Sequence, residues 1–111
     1  MKIDQFKKGD ITVVVPHGSL DIDTRQLFKD VLIGLIDCGE TAVLVDLSAI
    51  EFMTSTGLSA LLSAAKRMEE EGGKFAVCSL TENVKFVFDL SNFGSIFDIY
   101  PSTDSALEKM S

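Results

Sequence analysis

The sequence contains no uninterrupted apolar run approaching the roughly 20 residues that a membrane-spanning helix requires. Its first ten residues, Met1 to Asp10, are polar and mixed in charge, without the apolar centre of a secretory signal. Cations are in the minority: ten Lys and Arg against seventeen Asp and Glu give a formal net charge of -7 and a pI near 4.5. That balance opposes attraction to phosphate backbones and anionic lipid, so neither nucleic acid nor a membrane is expected as a partner. A lone histidine, His17, and two distant cysteines, Cys38 and Cys78, lack the paired spacing of a zinc or redox motif, and the carboxylates do not follow a calcium-loop pattern. His17 reads as structural or solvent-facing. Both cysteines read as buried, reduced thiols, which suits the cytosol. A G-x-S-x-G elbow, a phosphate-binding loop and a dinucleotide fingerprint are all missing as well. No metal, no cofactor and no catalytic residues are expected.

What the chain does have is the composition of a folding unit. At 111 residues, with 46% apolar and 24% charged residues, it can bury roughly two-thirds of its unfolded surface, and a single domain over residues 1–111 is expected. Ile3 and Phe6 suggest a first strand, a turn at Lys8-Gly9-Asp10 a hairpin, and Ile11 to Val15 a second strand that stops at Pro16 and Gly18. Asp21, Asp23 and Thr24 then offer helix caps. Leu27, Phe28, Val31, Leu32, Leu35 and Ile36 recur on one face of a 3.6-residue period, with Gly39 as a left-handed stop. Ala42 to Val45 is a nearly continuous apolar strand of the kind buried on both faces. Leu58, Leu61, Leu62, Ala65 and Met68 form the stripe of a second helix running to about Glu71, with Ser59, Ser63 and Arg67 facing outward. Phe75 to Cys78 reads as a strand, and Glu82 to Leu90 as a short helix with Val84, Val87 and Phe88 inward. Ile96 to Tyr100 reads as a last extended piece, and Ser102 to Met110 as a terminal helix. Strands alternating with helices predict an α/β fold with a mostly parallel, mixed sheet of four to five strands and about four helices.

Chemistry concentrates at one junction, Phe52-Met53-Thr54-Ser55-Thr56-Gly57-Leu58, where three hydroxyl residues stand at a helix start. One of them, Thr54 or Ser55, suffices to cap the helix by accepting a first-turn N–H, an interaction that contributes about 0.5 to 2 kcal/mol. The other two, with Gly57 beside them, suggest an exposed and closely approached surface.

From Gly18-Ser19-Leu20-Asp21, through Val43-Leu44-Val45-Asp46-Leu47-Ser48 and Phe52-Met53-Thr54-Ser55-Thr56-Gly57-Leu58, to Gly72-Gly73, Phe97-Asp98-Ile99-Tyr100 and Ala106-Leu107, the chain resembles the bacterial anti-sigma factor antagonists, built on the STAS domain. The resemblance implies a STAS-type fold and a cytoplasmic, non-enzymatic switch. Its partner would be an anti-sigma factor that is also a serine protein kinase. The family's phosphoacceptor falls on Ser55, and the partner-binding surface on Asp21, Thr54, Ser55, Thr56, Gly57 and Ser59. ATP and Mg²⁺ would belong to the kinase, leaving Ser55 as a substrate. One departure stands out: Thr54 occupies the place of the family's usual Asp, and Thr56 that of its second Ser. That substitution favours an alternative with the same fold, a nonphosphorylated adaptor or scaffold subunit. A phosphoaspartate receiver, with Asp46 as acceptor, is a second alternative, although no Lys directly follows the last extended piece.

Overall fold

The computed structural model describes residues 1–92 and 96–110. Gly9 turns the chain between β1 (Lys2–Lys8) and β2 (Ile11–Leu20), which pair antiparallel from Lys2 with His17 to Lys8 with Ile11. The expected stop of β2 at Pro16 and Gly18 is corrected, since the strand continues to Leu20. Its first half lies parallel to β3 (Ala42–Asp46) from Thr12 to Val14, and its second half parallel to β4 (Ile50–Met53) from Gly18 to Leu20. Pro16 falls between those two ladders, where its missing N–H removes no bond to either strand. Gly18, at φ +104°, begins the β4 ladder, and the register of that ladder shifts between Gly18 and Ser19.

Among the described residues the sheet has six strands, in the order β1-β2-β3-β5-β6 with β4 beside β2, one more than the four to five expected from the sequence. β5 spans Lys74–Cys78 and β6 spans Asp98–Tyr100. The helices are α1 (Arg25–Asp37), α2 (Ser55–Glu70), α3 (Glu82–Leu90) and α4 (Thr103–Met110).

Alternation along β3 divides the core in two. Val43 and Val45 face a cluster holding Phe28, Leu32 and Ile36 of α1, Leu58, Leu61 and Met68 of α2, and Val84 and Phe88 of α3. Ala42 and Leu44 face the other side, where Val13, Ala76 and Cys78 meet Ala106 and Met110 of α4. β3 is thus buried on both faces, as its apolar run implies.

The helix stripes turn out slightly rotated. Leu27 is 49% exposed, because the buried line of α1 runs through Phe28, Leu32 and Ile36 and leaves Leu27 a quarter-turn away at the helix start. On α2 the buried set includes Gly57, Ala60 and Ala64, while Leu62 and Ala65 are half-buried. Small residues there let α2 pack closely. Consequently Ser59 and Ser63 are half-buried, not fully outward. Arg67 bridges the ends of two helices, pairing with Asp37 at 2.6 Å and Glu71 at 3.3 Å.

Cys38 is exposed, contrary to expectation: it caps the end of α1, beyond the buried line that ends at Ile36. Cys78 is buried, and desolvation is the largest influence on its thiol, pushing its pKa above the ordinary value. No helix among the described residues is long and apolar enough to cross a membrane.

Candidate functional site

The C-terminal ends of β2 and β4 converge on the start of α2. β4 delivers Thr54, whose N–H donates to the Leu20 carbonyl at 3.1 Å, tying the junction to the end of β2. Thr54 is the N-cap, extended in backbone, and its Oγ1 accepts the Gly57 N–H at 3.1 Å while its carbonyl accepts from Leu58 N at 2.9 Å. The capping role left open between Thr54 and Ser55 therefore belongs to Thr54.

With the cap supplied, the next two hydroxyls are spare. Ser55 and Thr56 are both exposed on the first turn of α2, and among the described residues no hydrogen bond holds either side-chain hydroxyl. Ser59, one turn on, donates its hydroxyl to the Thr56 carbonyl at 2.5 Å and is spent locally. The first turn of α2 carries no acidic side chain, so no carboxylate of the helix itself offsets the positive end of its dipole.

Gly57 brings Asp21 to this site. A Cβ at position 57 would lie inside the van der Waals envelope of the Leu20 carbonyl and at the edge of contact with the Asp21 amide, so the backbones of α2 and the turn after β2 touch directly. Asp21 organises that turn: its Oδ1 accepts from Asp23 N at 3.0 Å and Thr24 N at 3.3 Å. Thr24 precedes α1 without a side-chain cap bond and donates its hydroxyl to the Ser19 carbonyl at 2.8 Å. All six residues singled out in the sequence, Asp21, Thr54, Ser55, Thr56, Gly57 and Ser59, thus gather within the α2 start and the turn against it.

Sequence reasoning missed β4 and what secures it. Ile50 and Met53 are buried while Glu51 and Phe52 are exposed, a pattern without strand alternation. Asn83 of α3 accepts the Met53 N–H through Oδ1 at 3.0 Å, fixing β4 from the other side. No short-range signal in the sequence links those residues.

Two other candidates have local roles. The Asp46 carboxylate accepts the Ser48 N–H at 2.9 Å and the Thr103 hydroxyl at 2.9 Å, fastening α4 to the end of β3. His17 lies 2.9 Å from Asp4 across the β1–β2 ladder, with both side chains partly exposed. Among the described residues no group of three metal-ligating side chains is present.

Comparison with known proteins follows the same outline. Residues 2–106 match the family model described as the STAS domain. BtrV of Bordetella bronchiseptica, named as a candidate anti-sigma factor antagonist, is 28% identical over 106 residues, covering 96% of this chain and 91% of that protein. The anti-sigma F factor antagonist of Paenibacillus polymyxa is 26% identical over 113 residues, covering 99% and 95%. The crystal structure of a candidate anti-sigma factor antagonist from Thermotoga maritima superposes with a TM-score of 0.91 at 28% identity, covering 97% of this chain and 93% of that one.

Proposed function

The chain belongs to the STAS domain family, and on that premise we propose that it is an anti-sigma factor antagonist, released from its partner by phosphorylation of Ser55. The unmodified chain binds an anti-sigma factor that is also a serine kinase through Asp21, Thr54, Ser55, Thr56, Gly57 and Ser59. That partner then transfers phosphate to Ser55. The observation carrying this reading is the division of labour among three hydroxyls: Thr54 is engaged as the cap, whereas Ser55 and Thr56 are exposed and unengaged on the first turn, and the family motif puts the acceptor at Ser55.

A phosphoserine adds about -1.5 to -2 charge and three strong acceptors. At the start of α2 that charge meets the positive end of the helix dipole, with no carboxylate in the first turn to repel it. The fold therefore tolerates the modification. Release arises at the interface, where a phosphate must be buried against a surface shaped for a hydroxyl.

Thr54, which lacks the carboxylate usual in this family, supports a second reading in which the same surface binds constitutively as an adaptor. Incubation with each anti-sigma factor of the same bacterium and Mg²⁺-ATP, followed by phosphosite mapping, separates the two. Phosphate on Ser55 is expected. Phosphate on Thr54 or Thr56 alone would contradict the register, and an unlabelled but stable complex would establish the adaptor.

A further inference from the structure

Two large apolar side chains of α3 face away from the core. Phe86 and Leu90 are 61% and 70% exposed, one turn apart, although the same helix buries Val84 and Phe88. They stand three and seven residues beyond Asn83 and share its side of the helix. Asn83 in turn holds the backbone of Met53, whose neighbour Phe52 is 49% exposed. Exposed apolar side chains thus stand on β4, two residues before the α2 cap, and on α3, a strip spread over two elements that the Asn83 bond holds together. Single exposed apolar residues are ordinary, but three of them on two adjoining elements beside a candidate binding site mark an interaction surface.

The charges around this strip define what covers it. Glu51, next to Phe52 on β4, and Glu82 and Asp89, within a turn of Phe86 on α3, are exposed, with Lys85 as the cation on α3. A two-fold contact between copies of this chain would set such acidic rims against themselves. A different protein, with an apolar centre and a Lys/Arg rim, would complement them.

We infer that Phe52, Phe86 and Leu90 form a second contact surface for the protein that reads Ser55, covered by an apolar patch of the partner rimmed with basic residues. The inference rests on the antagonist reading. Its apolar part holds the complex together and governs dissociation, and its acidic rim accelerates encounter.

The test titrates F86S, L90S and the double variant, by calorimetry, into the anti-sigma factor that binds the unmodified chain. Phe6→Ser serves as control, since Phe6 is 42% exposed on β1 at the far edge of the sheet. All these positions are exposed, and thermal melts check that each variant folds. The double variant is expected to raise Kd at least about tenfold, Phe6→Ser less than about twofold, and the association rate of the unmodified chain to fall several-fold between about 50 and 500 mM salt. A double variant within twofold of the unmodified chain, or an association rate indifferent to salt, overturns the inference. So does a sedimentation experiment in which the unmodified chain is a dimer and the double variant a monomer, because the strip is then covered by a second copy. If no anti-sigma factor binds the unmodified chain, the antagonist reading itself fails and takes this inference with it.

Discussion

Cys38 and Cys78 carry the same chemical group into opposite surroundings, and their difference follows from where each element ends. Cys38 follows the last turn of α1 and faces water, whereas Cys78 ends β5 beneath α4, with Thr103 Oγ1 3.6 Å from its sulfur. Burial raises the Cys78 pKa and keeps it a thiol, and the thiolate is the reactive form. Native protein treated with a chromogenic disulfide reagent at pH 8 should therefore release one fast equivalent, lost in the Cys38→Ser variant. The second should appear only on unfolding. Two fast equivalents would mean that α4 does not cover β5. The contrast was not legible in the sequence, because a cysteine one or two residues past an apolar stripe looks like the stripe's continuation until the helix end is located. Thr54, Ser55 and Thr56 show the same limit. Their position at a helix start was readable from the residues that follow, but which hydroxyl caps depends on one hydrogen bond to Gly57.

At the scale of elements, helices and buried strands were readable because periodicity survives averaging over several turns, as in Phe28, Leu32 and Ile36 of α1 or Val43 to Val45 of β3. β4 and the second half of β2 were not. Each is stabilised by pairing with the other, a contact between residues some thirty positions apart that leaves no local pattern, and Pro16 and Gly18 locally signal the opposite. Their pairing matters because it sets the end of β2 against α2, where Gly57 has no room for a side chain. Gly57→Ala puts a methyl group against the Leu20 carbonyl, a backbone atom that cannot rotate away. Overpacking of this kind costs typically about 1 to 3 kcal/mol. Denaturant melts should show that loss, together with weakened partner binding as the α2 start is pushed from the Asp21 turn. A Gly57→Ala variant as stable and as tightly bound as the unmodified chain would mean that the two backbones do not touch.

For the whole molecule, the sheet's two faces make two tests of packing. Leu44 lies in the cluster under α4 and Leu61 in the cluster under α1, α2 and α3, both fully buried. Leu44→Ala and Leu61→Ala should each destabilise by about 2 to 5 kcal/mol, the range for large-to-small changes at buried sites. Ser59→Ala, which removes one local hydroxyl bond on a half-buried position, should cost well under either. Equal losses at all three would mean that the buried face of α2 is misassigned. This rigid, doubly packed frame is why control is expected at the surface: charge added at the α2 start changes what the partner meets and leaves the core as it was.

The most direct test of that claim is the ratio of partner dissociation constants for Ser55→Asp and Ser55→Ala, measured by calorimetry on variants whose melts match the unmodified chain. Ser55→Ala is expected to bind like the unmodified chain and Ser55→Asp at least about tenfold more weakly, a difference of ~1.4 kcal/mol, with true phosphorylation at least as disruptive because Asp carries less charge and lacks phosphate geometry. Equal constants for the two variants would contradict it.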